Sequence, residues 1–180
     1  MPTPGFGAVR RWALKTFKPQ AMLRLSGACL AIALLIAAST LARDAPLLPQ
    51  WPQFVLPPFV FVVHFSSVLR LTSETGRPRW REVVAGLPPV LVLAFIALVV
   101  GVGLVLGSSI PAIGGQPTIT GGHYYLDDHG GLIPVTYATY RHALALQQRI
   151  FTLVPAVFFA LGVLVHYPRS VVGAEALAGT

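Results

Sequence analysis

Histidine and aspartate side chains are concentrated in one polar stretch of this 180-residue chain, from Gly121 to Phe151. The candidates for chemistry in it are His123, Asp127, Asp128, His129 and His142. Imidazole and carboxylate groups together suit Zn²⁺ or another divalent ion, and catalytic zinc sites use three protein ligands. A zinc site formed by His123, Asp128 and His129 is therefore one hypothesis. No HExxH or comparable motif accompanies these residues, so we favour a purely structural turn there and expect no cofactor.

The local pattern around these residues predicts a β-hairpin. Two short runs rich in aromatic and branched side chains, residues 123–126 and 132–135, flank the sequence Asp127 to Gly131. Aspartate followed by two glycines is typical of a tight turn, and we expect Gly130 and Gly131 to supply the positive φ angles. Pro134 has no N–H to donate to a ladder, so its strand should lie at an edge or stop early.

A helix should follow the hairpin and run directly into the last hydrophobic span. The hydroxyl of Thr136 is placed to cap its first turn. Two side chains of this helix, His142 and Arg149, fall on one face. A different stripe is formed at helical spacing by Tyr137, Tyr140, Leu144 and Phe151.

Several side chains near the hairpin are of the types that protein interfaces favour. They are Tyr124, Tyr125, Tyr137, Tyr140 and Arg141. Our leading expectation is therefore a non-enzymatic accessory or interaction protein. Its hairpin would dock on a membrane-protein partner or cover its own bundle, and self-association is an alternative.

The composition indicates a chain made for the lipid bilayer. Hydrophobic residues make up 54% of the sequence and charged residues 11%, whereas soluble domains carry about 25% charged residues. The net charge of +7 could suggest nucleic acid, but the basic residues flank hydrophobic spans and we expect no nucleic-acid partner. The single Cys29 excludes an intrachain disulfide and a cysteine-based metal site.

The expected fold is an all-α integral membrane protein, forming one membrane domain over residues 1–180. It would have four transmembrane helices with a β-hairpin and a helix between the third and fourth. The predicted spans are residues 21–42, 54–71, 83–109 and 150–167, with a polar loop at 110–149 whose first part, 110–120, is a connector. A signal peptide competes for the first span, but its length favours an uncleaved anchor.

Positive charge predicts the orientation of these spans. Thirteen lysines and arginines are present, and ten of them lie in the segment ending at Arg24, in residues 70–82 or in the carboxyl tail. The opposite side holds Arg43, Arg141 and Arg149. Because positive charge is retained on the cytoplasmic side, we expect both termini inside and the 110–149 loop outside the cell (inner) membrane.

Two polar side chains near the middle of the second span suggest alternative functions. Ionisable residues within spans are rare and usually face a bundle interior or a water path. His64, with Ser67 close by, could serve a small transporter, channel or sensor component. The competing interpretation is a neutral histidine bonded to a neighbouring helix. A membrane metallo-hydrolase using the His/Asp cluster is the third function considered.

Overall fold

The computed structural model describes residues 16–48, 55–71, 80–112 and 114–178. Within them the chain forms helices α1 (Pro19–Arg43), α2 (Leu56–Leu71), α3 (Trp80–Ala85), α4 (Pro89–Ser109) and α5 (Tyr137–Ala178), and strands β1 (Gln116–Thr120), β2 (His123–Asp128) and β3 (Gly131–Pro134). The protein is therefore mostly helical with a small three-stranded sheet. Three helical segments are long and apolar enough to cross a membrane: Pro19–Arg43, Pro89–Ser109 and Tyr137–Tyr167. The apolar part of α2, Pro57–Leu69, is shorter.

Helix α5 is the central element, because α1, α2, α4 and the sheet all pack against it. Thr136 caps its first turn, since its hydroxyl accepts from the Thr139 N–H at 3.2 Å. The helix then continues without a break through Tyr137 to Ala178. The predicted continuation of the post-hairpin helix into the last span is thus confirmed.

Small residues allow α1 to approach α5 closely. The buried stripe of α1 repeats every three or four residues and consists of Met22, Ser26, Cys29, Ala33, Ile36, Ala37 and Thr40. On α5, Ala156 and Phe159 are fully buried against Cys29, Ala33 and Val63. Because lipid tails are as apolar as leucine, such close packing, rather than water exclusion, holds helices together in a membrane.

The bundle has two ends, which we name the sheet end and the far end. At the sheet end, Ala37 of α1 and Val102 of α4 pack with Leu153. At the far end, Leu71 of α2 and Leu87 pack with Val165 of α5. α1 and α4 thus finish at the sheet end, where α2 and α5 begin.

The predicted third span, residues 83–109, is interrupted in the structure. α3 ends at Ala85 and α4 begins at Pro89, with Pro88 in an extended conformation (φ −58°, ψ 135°). A residue that precedes proline is disfavoured in the α region, and here two prolines follow one another. The Pro-Pro pair therefore breaks the helix instead of merely kinking it.

The segment predicted as a connector, residues 110–120, also differs from the prediction, because its last five residues form strand β1. β1 pairs antiparallel with β2, with Pro117 opposite Leu126 and Ile119 opposite Tyr124. Both Pro117 and Leu126 are buried. The proline and the glycines on either side concealed this strand, although Thr118, Ile119 and Thr120 are residue types that strands favour.

Candidate functional site

The hairpin of β2 and β3 closes with a two-residue turn. Asp128 pairs with Gly131, and the turn residues His129 and Gly130 have φ angles of 54° and 91°. Two successive residues with positive φ are characteristic of a type I′ turn, whose twist matches that of the two flanking strands. The expected glycine pair is therefore shifted by one residue, because His129 takes a left-handed conformation that histidine tolerates better than most residues. Asp127 fixes the turn by accepting from the Gly130 N–H at 2.8 Å.

The expected edge position of the proline strand is confirmed. β3 lies at one side of the β1-β2-β3 sheet, and the ladder extends beyond Pro134 through a bond from the Val135 N–H to the Tyr124 carbonyl. In an antiparallel pair, alternate residues point their N–H groups inward. The inward N–H groups therefore include that of Val135, whereas Pro134 occupies an outward position where its missing N–H costs no ladder bond.

A tyrosine cluster attaches the sheet to the start of α5. The ring of Tyr124 lies 5.0 Å from the rings of both Tyr137 and Tyr140. The Arg141 guanidinium lies over the Tyr137 ring at 5.7 Å. Tyr140 is buried, whereas Tyr137 is 54% exposed. Four of the five side chains predicted to bind a partner thus come together, and two of them, Tyr124 and Tyr140, pack internally.

The fifth predicted side chain, Tyr125, lies elsewhere. Successive side chains of a strand project to opposite faces, so Tyr125 shares its face with Asp127 and not with Tyr124. Its cross-strand neighbours are Thr118 and Pro134.

The sheet also carries exposed apolar side chains. Ile119 is 55% exposed, and Leu132 and Ile133 are each 48% exposed. Register places Ile119 beside Tyr124, and Ile133 opposite the buried Leu126. The face that packs on α5 therefore continues outward as an apolar rim, which we define as Ile119, Ile133 and Tyr137.

The three predicted metal ligands are not brought together. His123 begins β2 and Asp128 ends it, a separation of about 16 Å along a strand. Asp128 instead accepts from the Nδ1–H of its neighbour His129 at 2.6 Å, on an exposed tip. Among the residues that the structure describes, no group of three His, Cys, Asp or Glu side chains is placed to hold a metal ion.

The third histidine of the polar stretch, His142, joins a different group, which we name the sheet-end cluster: Asp44, His142 and Arg149. Asp44 follows α1 in a left-handed conformation (φ 47°). Its carboxylate accepts from His142 Nδ1 at 2.7 Å and from Arg149 Nη2 at 2.8 Å. The sequence correctly placed His142 and Arg149 on one face of the helix, and Asp44 joins them from α1.

Burial differs strongly within the sheet-end cluster. The Arg149 side chain is 9% exposed and that of Asp44 is 58% exposed. Arg149 also donates to the Thr40 carbonyl at 2.7 Å. The hydrogen bond from Arg149 is the main cause that lowers the pKa of Asp44; burial opposes it and the His142 bond adds to it. A neighbouring glutamine, Gln148, accepts from the Leu47 N–H and thereby fixes the chain after α1.

The predicted intramembrane pair separates in the structure. His64 faces outward from α2, where its ring meets that of Phe158 at 5.4 Å. Ser67 faces inward with Ser66, and both hydroxyls donate to the Val63 carbonyl. Our prediction grouped Ser67 with His64, but the histidine beside Ser67 in the structure is His166 of α5.

The fully buried His166 completes a far-end cluster with Ser66 and Ser67. Its Nε2 lies 3.3 Å from the Ser66 hydroxyl and 3.4 Å from the Ser67 hydroxyl. Because both hydroxyls already donate to Val63, Nε2 is the donor to them. His166 falls at the end of the last predicted span, where only its spacing from buried Phe159, one heptad earlier, could have indicated an inward face.

Comparison of the chain with protein-family models, with curated proteins and with solved structures found no match.

Proposed function

We propose that this is a multi-pass accessory protein of the cell (inner) membrane whose extracytoplasmic sheet docks on a membrane-protein partner. In this proposal α1, α2, α4 and α5 all cross the bilayer, both termini are cytoplasmic and residues 110–149 are outside. The function is non-enzymatic. The apolar rim on a sheet that the tyrosine cluster fixes to a spanning helix is the observation that carries the proposal.

The contacts of α2 favour a fourth crossing. Pro57 lies beside Ile150 and Phe151, close to the sheet end, whereas Leu71 packs with Val165 at the far end. Sixteen helical residues cover about 24 Å, somewhat less than a hydrocarbon core of about 30 Å. Local thinning of the bilayer accommodates such a difference at modest cost.

Charge supports placing the far end in the cytoplasm. Arg24, in the first turns of α1, is exposed there, and most other lysines and arginines lie in segments that adjoin this end. The arginines toward the sheet end are Arg43, Arg141 and Arg149. The bias depends on the number of lysines and arginines on each side and not on the net charge, so the larger number at the far end supports a cytoplasmic location for that end.

The sheet suits recognition by side chains better than extension by another strand. The outward positions of β3 are Leu132 and Pro134, and only Leu132 has an N–H to donate. By contrast, the apolar rim presents two isoleucines and a tyrosine that is stacked under Arg141. Tyrosine and arginine beside a desolvated apolar centre are typical of residues that dominate binding energy.

The two enzymatic or transport alternatives receive less support. The transporter hypothesis relies on His64, which faces the Phe158 ring while Ser66 and Ser67 contact a different histidine. The metallo-hydrolase hypothesis relies on a cluster that β2 spreads along its length. Docking requires neither arrangement, and we retain it as the proposal.

Site-specific photo-crosslinking in intact cells tests the docking surface. A photoreactive side chain at Ile133 or Ile119 should give one discrete adduct with a membrane protein. The same group at Thr120, which is exposed on the opposite face of the sheet, is the matched control and should give none. Equal adducts at all three positions, or none at any, would contradict docking through the rim.

A further inference from the structure

We propose that the protein forms a parallel, twofold-symmetric dimer in the membrane through the outer face of α2. This face, the α2 seam, consists of Pro57, Phe61, His64, Phe65 and Val68, all exposed. Their spacing of three or four residues makes a continuous stripe along the helix. The dimer lies within the membrane and is independent of the docking proposed for the sheet.

His64 is the first reason to expect a partner for this face. It lies near the middle of α2 and is exposed on the side away from the bundle. Hydrocarbon offers an imidazole no hydrogen bond, and ionisable side chains in spans normally face protein or water. The side chain that α5 supplies beside it, Phe158, is an apolar ring. A second protein surface at this depth would give the imidazole its polar partner.

The two flanks of His64 have complementary shapes. On one flank, an apolar groove of about 270 Å³ lies between α2 and α5, lined by Val60, Ile150, Phe151, Val154, Pro155 and Phe158. On the other flank, Phe61 projects with 72% of its surface exposed. Its ring is stacked on that of Phe65 at 6.2 Å. At 100° per residue, Val60 lies about 40° to one side of His64 and Phe61 about 60° to the other.

Symmetry turns this arrangement into a self-complementary surface. Two copies in one membrane share an orientation, so the twofold axis that relates them must be parallel to the membrane normal. Rotation about an axis beside His64 brings Phe61 of each copy to the groove of the other, because surfaces on opposite flanks exchange places. Depth is preserved, and Phe61 is only one residue beyond Val60, which lines the groove.

The same rotation brings the His64 side chains of the two copies next to each other. A neutral imidazole has one donor and one acceptor nitrogen, so two of them can pair by a hydrogen bond. A lipid chain could fill the groove but would leave both imidazoles without a partner. A second copy therefore accounts for the projecting ring, the groove and the histidine together. Oligomerisation is also one way in which a helix shorter than the hydrocarbon core, such as α2, is accommodated in a bilayer.

Oxidative crosslinking of the full-length protein in its membrane tests the dimer. In a Cys29→Ser background, Val68→Cys places a thiol on the seam near the axis. Leu93→Cys is the matched control, because Leu93 of α4 is 65% exposed on a different helix. We expect a disulfide-linked dimer from Val68→Cys and monomer from Leu93→Cys.

Energy transfer between labelled copies in liposomes measures the strength of association. Phe61→Ala should weaken dimerisation about tenfold, as expected for loss of a large aromatic anchor. His64→Leu should weaken it about threefold, the factor that corresponds to an interhelical hydrogen bond of about 0.6 kcal/mol. Both side chains are exposed in the monomer, so circular dichroism should remain unchanged, and Leu93→Ala should have no effect.

Three results would each overturn the proposal. The first is a Val68→Cys protein that stays monomeric or links only to another polypeptide. The second is equal crosslinking from Leu93→Cys, which indicates random collision. The third is a dimer whose strength is unchanged by both Phe61→Ala and His64→Leu.

Discussion

Two polar clusters hold α5 to its neighbours, and they differ in chemistry as they differ in position. The sheet-end cluster uses charges: Asp44 after α1 binds His142 and Arg149. The far-end cluster uses neutral groups, the hydroxyls of α2 and the imidazole of His166. Each joins α5 to a different helix.

Access to water explains the difference. The Asp44 side chain is 58% exposed, so its charge keeps much of its hydration while it neutralises a buried arginine. Ser66, Ser67 and His166 are at most 1% exposed. An ion at such a position would lose its hydration at a cost of several kcal/mol, whereas the two hydroxyls bond to Nε2 of the imidazole without any ionic charge. The protein thus places charge pairs near the surface and neutral hydrogen bonds inside.

The two clusters also depend on different properties of the side chains. The sheet-end cluster depends on the match of opposite charges, and the far-end cluster depends on close approach of helices. Gly162 permits that approach, because α1 and α2 both reach it through Ser26 and Val63. A substitution that adds volume should therefore disturb the far-end cluster, and one that removes a charge should disturb the sheet-end cluster.

The largest effect is expected from Gly162→Leu. Even a Cβ at this position would overlap the Val63 side chain and lie 2.7 Å from the Ser26 hydroxyl. We expect a loss of about 3 kcal/mol in the free energy of unfolding, at the upper end of overpacking effects. Gly103→Leu is the control, since no atom lies within 4 Å of a Cβ there. Denaturant titration in micelles measures both, and equal losses would show that Gly162 has no special packing role.

Asp44→Asn should have the next largest effect. It leaves the Arg149 guanidinium buried without its counter-ion, and removal of one partner of a buried pair costs 3–5 kcal/mol. Because Asp44 itself is more than half exposed, we expect about 2 kcal/mol. The matched control is Asp128→Asn, which breaks an equally short aspartate–histidine contact on the exposed hairpin tip and should cost less than about 0.5 kcal/mol. Equal effects would remove the role assigned to burial of Arg149.

Local signals made much of the sheet end predictable from sequence. The turn residues of the hairpin, the cap at Thr136 and the shared face of His142 and Arg149 all follow from short-range chemistry, and the structure contains each of them. The one-residue shift of the turn is a small error. It arose because the prediction assigned both positive φ angles to glycine.

The contacts that join distant segments could not be predicted in the same way. Asp44 meets Arg149 across more than a hundred residues, and nothing in its own Arg-Asp-Ala context indicates a partner. His166 was hidden because the ten residues before it, 156–165, are all apolar or glycine, so no polar face of the helix indicates which way it points. Gly103 and Gly107 have the four-residue spacing that often marks a close helix contact, yet both have open space around them. A close approach is found at Gly162 instead, where no such spacing indicates it.

Acid should weaken the sheet-end cluster through its carboxylate, Asp44. The folded pKa of Asp44 lies below its ordinary value, so the unfolded chain binds a proton more readily. This contribution to stability is present above the ordinary carboxylate pKa and is lost as the pH falls below about 4 and through the lowered value. The thermal unfolding midpoint should therefore fall as the pH is lowered from about 6 to about 3, and it should fall less in Asp44→Asn than in the unmodified protein. Identical pH dependence in both proteins would exclude Asp44 as its origin.

The smallest effect is expected from Ser67→Ala at the far end. The substitution removes one hydroxyl that accepts from His166 at 3.4 Å, while Ser66 still accepts from the same nitrogen at 3.3 Å. Because the imidazole N–H keeps a partner, we expect a loss of about 0.6 kcal/mol, the average for interhelical hydrogen bonds in membranes. The double variant Ser66→Ala, Ser67→Ala leaves the N–H without its hydroxyl acceptors and should cost more than the sum of the two single losses. Unfolding free energies of all four proteins measure this coupling, and simple additivity would mean that the two hydroxyls do not share one donor.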